Sequence, residues 1–108
     1  MDKPLTTYHE FKLVDGSTVK MSLSFYSVYQ LKKVNKELYK RYNKIFVEQN
    51  KKNYEYDELD NLSILYAAYV CANLNDENLM DEETFLIMCG SNRERIGEAM
   101  EALIKPKN

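Results

Sequence analysis

The segment from Leu62 to Ala72 carries no charged residue and is apolar on nearly every side of a helix. Leu59, Leu62, Leu65, Tyr66 and Tyr69 make one face, and Ile64, Ala67, Ala68, Val70 and Cys71 fill the others. A helix without a polar face has to be surrounded. It is far short of the ~20 residues that span a bilayer, so it belongs at the centre of a packed domain. The rest of the chain must then supply elements with one apolar face each. A length of 108 residues suits one such domain, and 44% apolar residues provide a core for it.

Upstream, Phe11 and Leu13 alternate with Glu10, Lys12 and Val14, and Val19, Met21 and Leu23 alternate with Thr18, Lys20 and Ser22. Asp15-Gly16 lies between the two runs. That pair predicts a β-hairpin with a type I′ turn, because both residues accept positive φ. The apolar set of the hairpin needs helices, or another chain, to cover it. At Ser24 the period changes to that of a helix. Ser24 caps a helix with Phe25, Val28, Leu31 and Val34 on its buried face. Asn35 caps the next, or the helix runs on, with Leu38, Tyr42, Ile45 and Phe46 buried and Lys36, Lys40, Arg41 and Lys44 opposite. Gln49 to Tyr56 reads as a polar loop, and Asp57 starts the central helix.

Asn73 to Met80 reads as a turn. Asp81 then caps a short helix bearing Phe85, Leu86 and Met88, which Gly90 ends. Ser91-Asn92-Arg93-Glu94 has the form of a capping box for a last helix carrying Ile96, Met100, Leu103 and Ala99. Gly97 inside that helix suggests close packing, and Pro106 stops it. The expected fold is α+β, an N-terminal β-hairpin packed on a mainly helical domain of about five helices. It forms one domain over 1–108, with the hairpin at 7–24, the helical region at 25–104 and a flexible tail at 105–108.

Charge is unevenly spread. Lys32 to Asn53 holds eight basic residues against Glu37 and Glu48, and Tyr54 to Glu83 holds nine acids with no Lys or Arg. Opposite segments can attract each other within one fold, or a polarised surface can steer a partner. The net charge of -2 does not point to nucleic acid or an anionic membrane. Cys71 and Cys89 read as free buried thiols, and Met1 to Glu10 does not look like a signal peptide. The cytoplasm is the expected compartment.

Catalytic signatures are missing from the pattern. His9 has no nucleophile or acid placed with it, and reads as a solvated strand histidine. The pairs Asp57-Glu58 and Glu82-Glu83 sit where helices begin, where acids interact favourably with the helix dipole. Two cysteines and one histidine do not make a four-ligand zinc site. Asn73 to Thr84 is placed like a calcium loop, but Asn73, Asn78 and Thr84 stand where Asp, Gly and a bidentate Glu are needed. The expectation is a non-enzymatic protein with no cofactor.

The unusual feature is nine tyrosines with no tryptophan. Tyr26 and Tyr39 lie off the inferred buried faces, and exposed Tyr beside Lys is more typical of an interface than of bare surface. The candidate protein-binding residues are Tyr26, Tyr29, Tyr39, Lys36, Lys40 and Tyr42. The open edge of the hairpin is a second candidate surface. Tyr39→Ala and Lys40→Glu are expected to weaken binding with the melt nearly unchanged.

Several blocks in order carry a resemblance. Phe11-Lys12-Leu13, Asp15-Gly16, Leu23-Ser24-Phe25 and Tyr29-Gln30-Leu31 open it. Asn35-Lys36-Glu37-Leu38-Tyr39 with Tyr42-Asn43-Lys44-Ile45 follow, then Leu65 to Ala72, Phe85 after its acidic run, and Lys105-Pro106-Lys107. Together they resemble the tail assembly chaperones of long-tailed (siphovirus-type) phages and prophages of Gram-positive bacteria.

The resemblance implies binding to the tape measure protein, a long helical chain kept soluble before the tail tube forms around it. It implies recruitment of the major tail tube protein, work in the bacterial host cytoplasm and absence from the mature virion. It also implies a longer form of the same chain made by frameshifting near its end, which a gene without a slippery sequence there would exclude. It offers no catalytic residues. A homo-oligomer stays open. The alternatives are a small regulatory or calcium-responsive interaction module, or a structural tail subunit.

Overall fold

Asp15-Gly16 does reverse the chain between two strands, β1 (His9–Lys12) and β2 (Thr18–Met21), in the computed structural model, which describes residues 8–49, 51 and 58–104. The turn is not type I′, however. Gly16 N–H donates to Leu13 C=O, Leu13 N–H donates to Ser17 C=O, and Gly16 alone has positive φ, at 90°. This is a three-residue connection with a glycine bulge. Asp15 keeps negative φ because its carboxylate is used locally. It accepts from Ser17 N–H at 2.9 Å and from Ser17 Oγ at 2.6 Å, and these bonds hold its pKa below the ordinary carboxylate value.

Five helices follow: α1 (Phe25–Val34), α2 (Lys36–Gln49), α3 (Glu58–Ala72), α4 (Glu82–Cys89) and α5 (Arg93–Ile104). The α+β expectation holds. Local chemistry sets most boundaries. Ser24 Oγ accepts from Ser27 N–H at 3.2 Å, Asn35 Oδ1 from Leu38 N–H at 3.1 Å, and Asp81 Oδ1 from Thr84 N–H at 2.8 Å. Each satisfies one of the orphan donors of a first helical turn. The last cap is Asn92, whose Oδ1 accepts from Arg95 N–H, rather than the Ser91 of the expected capping box. Gly90 ends α4 with φ 76°. A Cβ there would also lie 2.6 Å from Val14 Cγ1, so the site excludes a side chain twice over. Gly97 is the opposite case. A Cβ there meets nothing within 4 Å, so the expected close packing is absent. Asp57, most of the 49–56 loop, Pro106 and the 105–108 tail lie outside the described residues.

α3 is the central element, touched by β2, α1, α2, α4 and α5. Ile64, Leu65, Ala67 and Ala68 are wholly buried, whereas Leu59 at its N-terminal end is exposed. Tyr66, Tyr69 and Phe85 of α4 form an aromatic cluster, with Tyr69 and Phe85 stacked at 5.0 Å between ring centroids. Both phenols have backbone partners on one residue. Tyr66 Oη donates to Met80 C=O, and Tyr69 Oη accepts from Met80 N–H, each at 3.0 Å.

The hairpin lays Phe11, Leu13 and Met21 into this core, with Val19 and Leu23 partly buried. Its edges are largely covered. Along β2, Ser22 N–H donates to Ala68 C=O and Asn73 Nδ2 to Lys20 C=O, both at 3.0 Å. Along β1, Val14 N–H donates to Met88 C=O at 2.9 Å and the Arg95 guanidinium donates to Lys12 C=O. Beside β1 lies a groove of about 360 Å³ lined by His9, Glu10, Arg95, Ala99 and Ala102. Residues of α4 and α5 thus bond the end of the hairpin edge that was the second candidate surface.

Candidate interaction surface

Leu31 and Val28 of α1 pack on the core as expected, and Ser27 is buried beside them, while Phe25 is 96% exposed and Val34 is 63% exposed. The buried hydroxyls of Ser22 and Ser27 share a hydrogen bond of 2.9 Å, with Ser24 Oγ bonded to Ser27 Oγ at 3.0 Å. A buried hydroxyl needs such a partner. With Ser27 seated against Ser22, Phe25 and Tyr29 lie exposed.

The outward face therefore reads Phe25, Tyr29, Lys33, residues four apart that align along one side of a helix. Tyr29 and Tyr26 are also exposed. Lys33 Nζ lies 5.4 Å from the centroid of the Tyr29 ring, and Lys32 Nζ lies 5.4 Å from that of Tyr39. These cation–π contacts hold the ammonium groups beside the rings. Lys36 and Lys40 extend the exposed basic surface onto α2. On the flank next to Tyr26 runs a cleft of about 380 Å³ lined by Tyr8, Tyr26, Gln30, Leu74, Asn75 and Asp76.

Of the expected residues, Tyr26, Tyr29, Lys36 and Lys40 are thus at the surface. Tyr39 is half-buried and packed on the core, so Tyr39→Ala would cost stability as well as contact. Tyr42 is corrected. It is only 9% exposed, it packs on Phe46, and burial pushes its phenol up to about 12. It supports α2 from beneath and presents nothing to a partner. Phe25, Lys32, Lys33 and Val34 join the surface instead. Their signal in the sequence was the Phe-Tyr-Lys repeat at intervals of four, which periodicity alone could not distinguish from a core face.

The oppositely charged segments do meet. Arg41 Nη2 and Glu82 Oε1 pair at 2.6 Å. Lys32, Lys33, Lys36, Lys40 and Lys44 make no ion pair with a carboxylate among the described residues. The α1–α2 face is therefore aromatic and predominantly basic, with Glu37 its one carboxylate among Lys32, Lys33, Lys36 and Lys40.

Burial pushes the Cys71 thiol to about 12 and the Cys89 thiol to about 11, far from the low values that make a nucleophile. In the calcium-like loop, Asn73 Nδ2 binds the carbonyls of Lys20 and Tyr69, Asp76 accepts from Asn78 N–H, and Asp81 caps α4. Among the described residues no group of three or more His, Cys, Asp or Glu is placed to hold a metal ion, and no helix is long and apolar enough to cross a membrane. No family model, curated protein or solved structure matches the chain.

Proposed function

We propose that this protein is a non-enzymatic tail assembly chaperone of a long-tailed phage or prophage, which binds the tape measure protein and keeps it soluble in the host cytoplasm until tube subunits take its place. The observation that carries the reading is the outward face of α1, where Phe25 is 96% exposed beside Tyr29 and lysines. Contiguous exposed apolar surface marks a protein-binding site, and a helix face of this kind takes a second amphipathic helix.

The test is co-expression with the long coiled protein encoded downstream. A complex that keeps that client soluble is the expected result. A client that precipitates as it does alone would overturn the reading. Purified virions containing the chain would favour a structural tail subunit instead.

A further inference from the structure

The exposed face of α1 is graded along its axis. Its first two turns expose Phe25, Tyr26 and Tyr29 and carry no charge. Its last turn carries Lys32 and Lys33, and Lys36 opens α2 just beyond. α1 holds no acidic residue at all. From Phe25 to Lys33 the separation along the axis is about 12 Å, at 1.5 Å per residue. The Lys33 ammonium, however, folds back over the Tyr29 ring, so Phe25 and Tyr26 form the uncharged end and the ammonium groups begin about one turn further on.

Lys32 and Lys33 rest on the Tyr39 and Tyr29 rings, and neither has an ion pair among the described residues. A lysine held against a ring loses less freedom when a carboxylate arrives, so the interaction is stronger than with a free surface lysine. A partner interleaving carboxylates with apolar residues would place charge over Phe25, where no cation answers it.

Resting on the chaperone reading, we propose that the client segment docked on α1 is an amphipathic helix with apolar residues at one end and a cluster of carboxylates about one to two turns away. The apolar end covers Phe25 and Tyr26. The carboxylates meet Lys32, Lys33 and Lys36.

The chain has no tryptophan, so one Trp at the apolar end of a synthetic peptide reports docking without background. Three helical peptides serve: one with the Glu cluster at the far end, one of the same composition with Glu spread along its length, and one with Lys replacing the clustered Glu. The clustered-Glu peptide is expected to bind at least tenfold more tightly than the spread one, with a blue-shifted Trp and a marked loss of affinity in added salt. The Lys peptide is expected not to bind. Phe25→Ala should abolish the blue shift, and Lys32→Glu with Lys33→Glu should exchange the preference toward the Lys peptide. Both variants alter exposed side chains, so their melts provide the folding control.

Equal affinity for the clustered and spread peptides would overturn the proposal, as would binding indifferent to Phe25→Ala. A Phe25-dependent dimer of the free protein would overturn it too, by showing that a second copy covers the face. The two readings separate cleanly. A client retained in co-expression while the peptides are not discriminated defeats the graded site alone. Discrimination without client capture defeats the chaperone reading alone.

Discussion

α1 and α3 carry similar aromatic side chains to opposite ends. On α3, Tyr66 and Tyr69 lie against Phe85 with their hydroxyls bonded to Met80. On α1, Tyr26 and Tyr29 stand at the surface beside a Phe25 that is 96% exposed. The difference does not lie in the residues, since Tyr is at home in both settings. It lies in what surrounds them. α3 has neighbours on all sides, whereas α1 turns one side toward the core and keeps that side for Ser27 and Leu31. Burying one face of a helix decides the fate of the other.

The sharpest break in this comparison is a pair of truncations. Phe85→Ala should destabilise the fold by about 3–5 kcal/mol, as expected for an aromatic lost from a closed core. Phe25→Ala should stay within about 0.5 kcal/mol of the parent while removing client binding. Urea melts and co-purification measure the two sides. A Phe25→Ala protein that melts like Phe85→Ala would mean α1 is not free.

Alkaline titration probes the buried side next. Tyr42, Cys71 of α3 and Cys89 hold their protons more tightly folded than unfolded, since burial raises them from 10.0, 9.0 and 9.0 to about 12, 12 and 11. Their contribution is whole below the unfolded values and is lost as pH rises from about 9 to 12. Stability should fall by about 1.4 kcal/mol per pH unit for each group protonated only in the folded state. Thermal melts across that range check it, and Tyr42→Phe should remove the part that begins at the unfolded tyrosine value of 10.0.

Smaller effects refine the comparison. Tyr69→Phe leaves Met80 N–H without its acceptor at 3.0 Å, a loss of about 1–3 kcal/mol. Tyr29→Phe, on the exposed helix, should stay within about 0.5 kcal/mol. Equal losses in the two would erase the contrast. Gly97→Ala should raise stability by up to about 1 kcal/mol, because it sits in α5 with open space where the methyl would go. A drop in melting temperature would mean that the helix needs its glycine.

What could be read without a structure was local. Ser24, Asn35 and Asp81 cap helices because their oxygens reach an N–H three residues on. Asp15-Gly16 marks a hairpin, and the apolar surround of residues 59–71 requires α3 to be central. Such signals act within a few residues, so the sequence carries them whole. The rotation of α1 was different. Phe25, Tyr26, Val28, Tyr29, Leu31 and Val34 supply apolar surface on almost every side, and more than one face could have been buried. In the fold Leu31 and Val28 pack on the core, and the buried hydroxyls of Ser22 and Ser27, five residues apart, bond on that side. The β1 edge is bonded by residues more than seventy positions away. Turns and caps were determined by neighbours along the chain. Which aromatic rings are core and which are surface was decided by neighbours in space, because a helix offering apolar surface on several sides is oriented only by the elements packed against it, here α2 and α3 for α1.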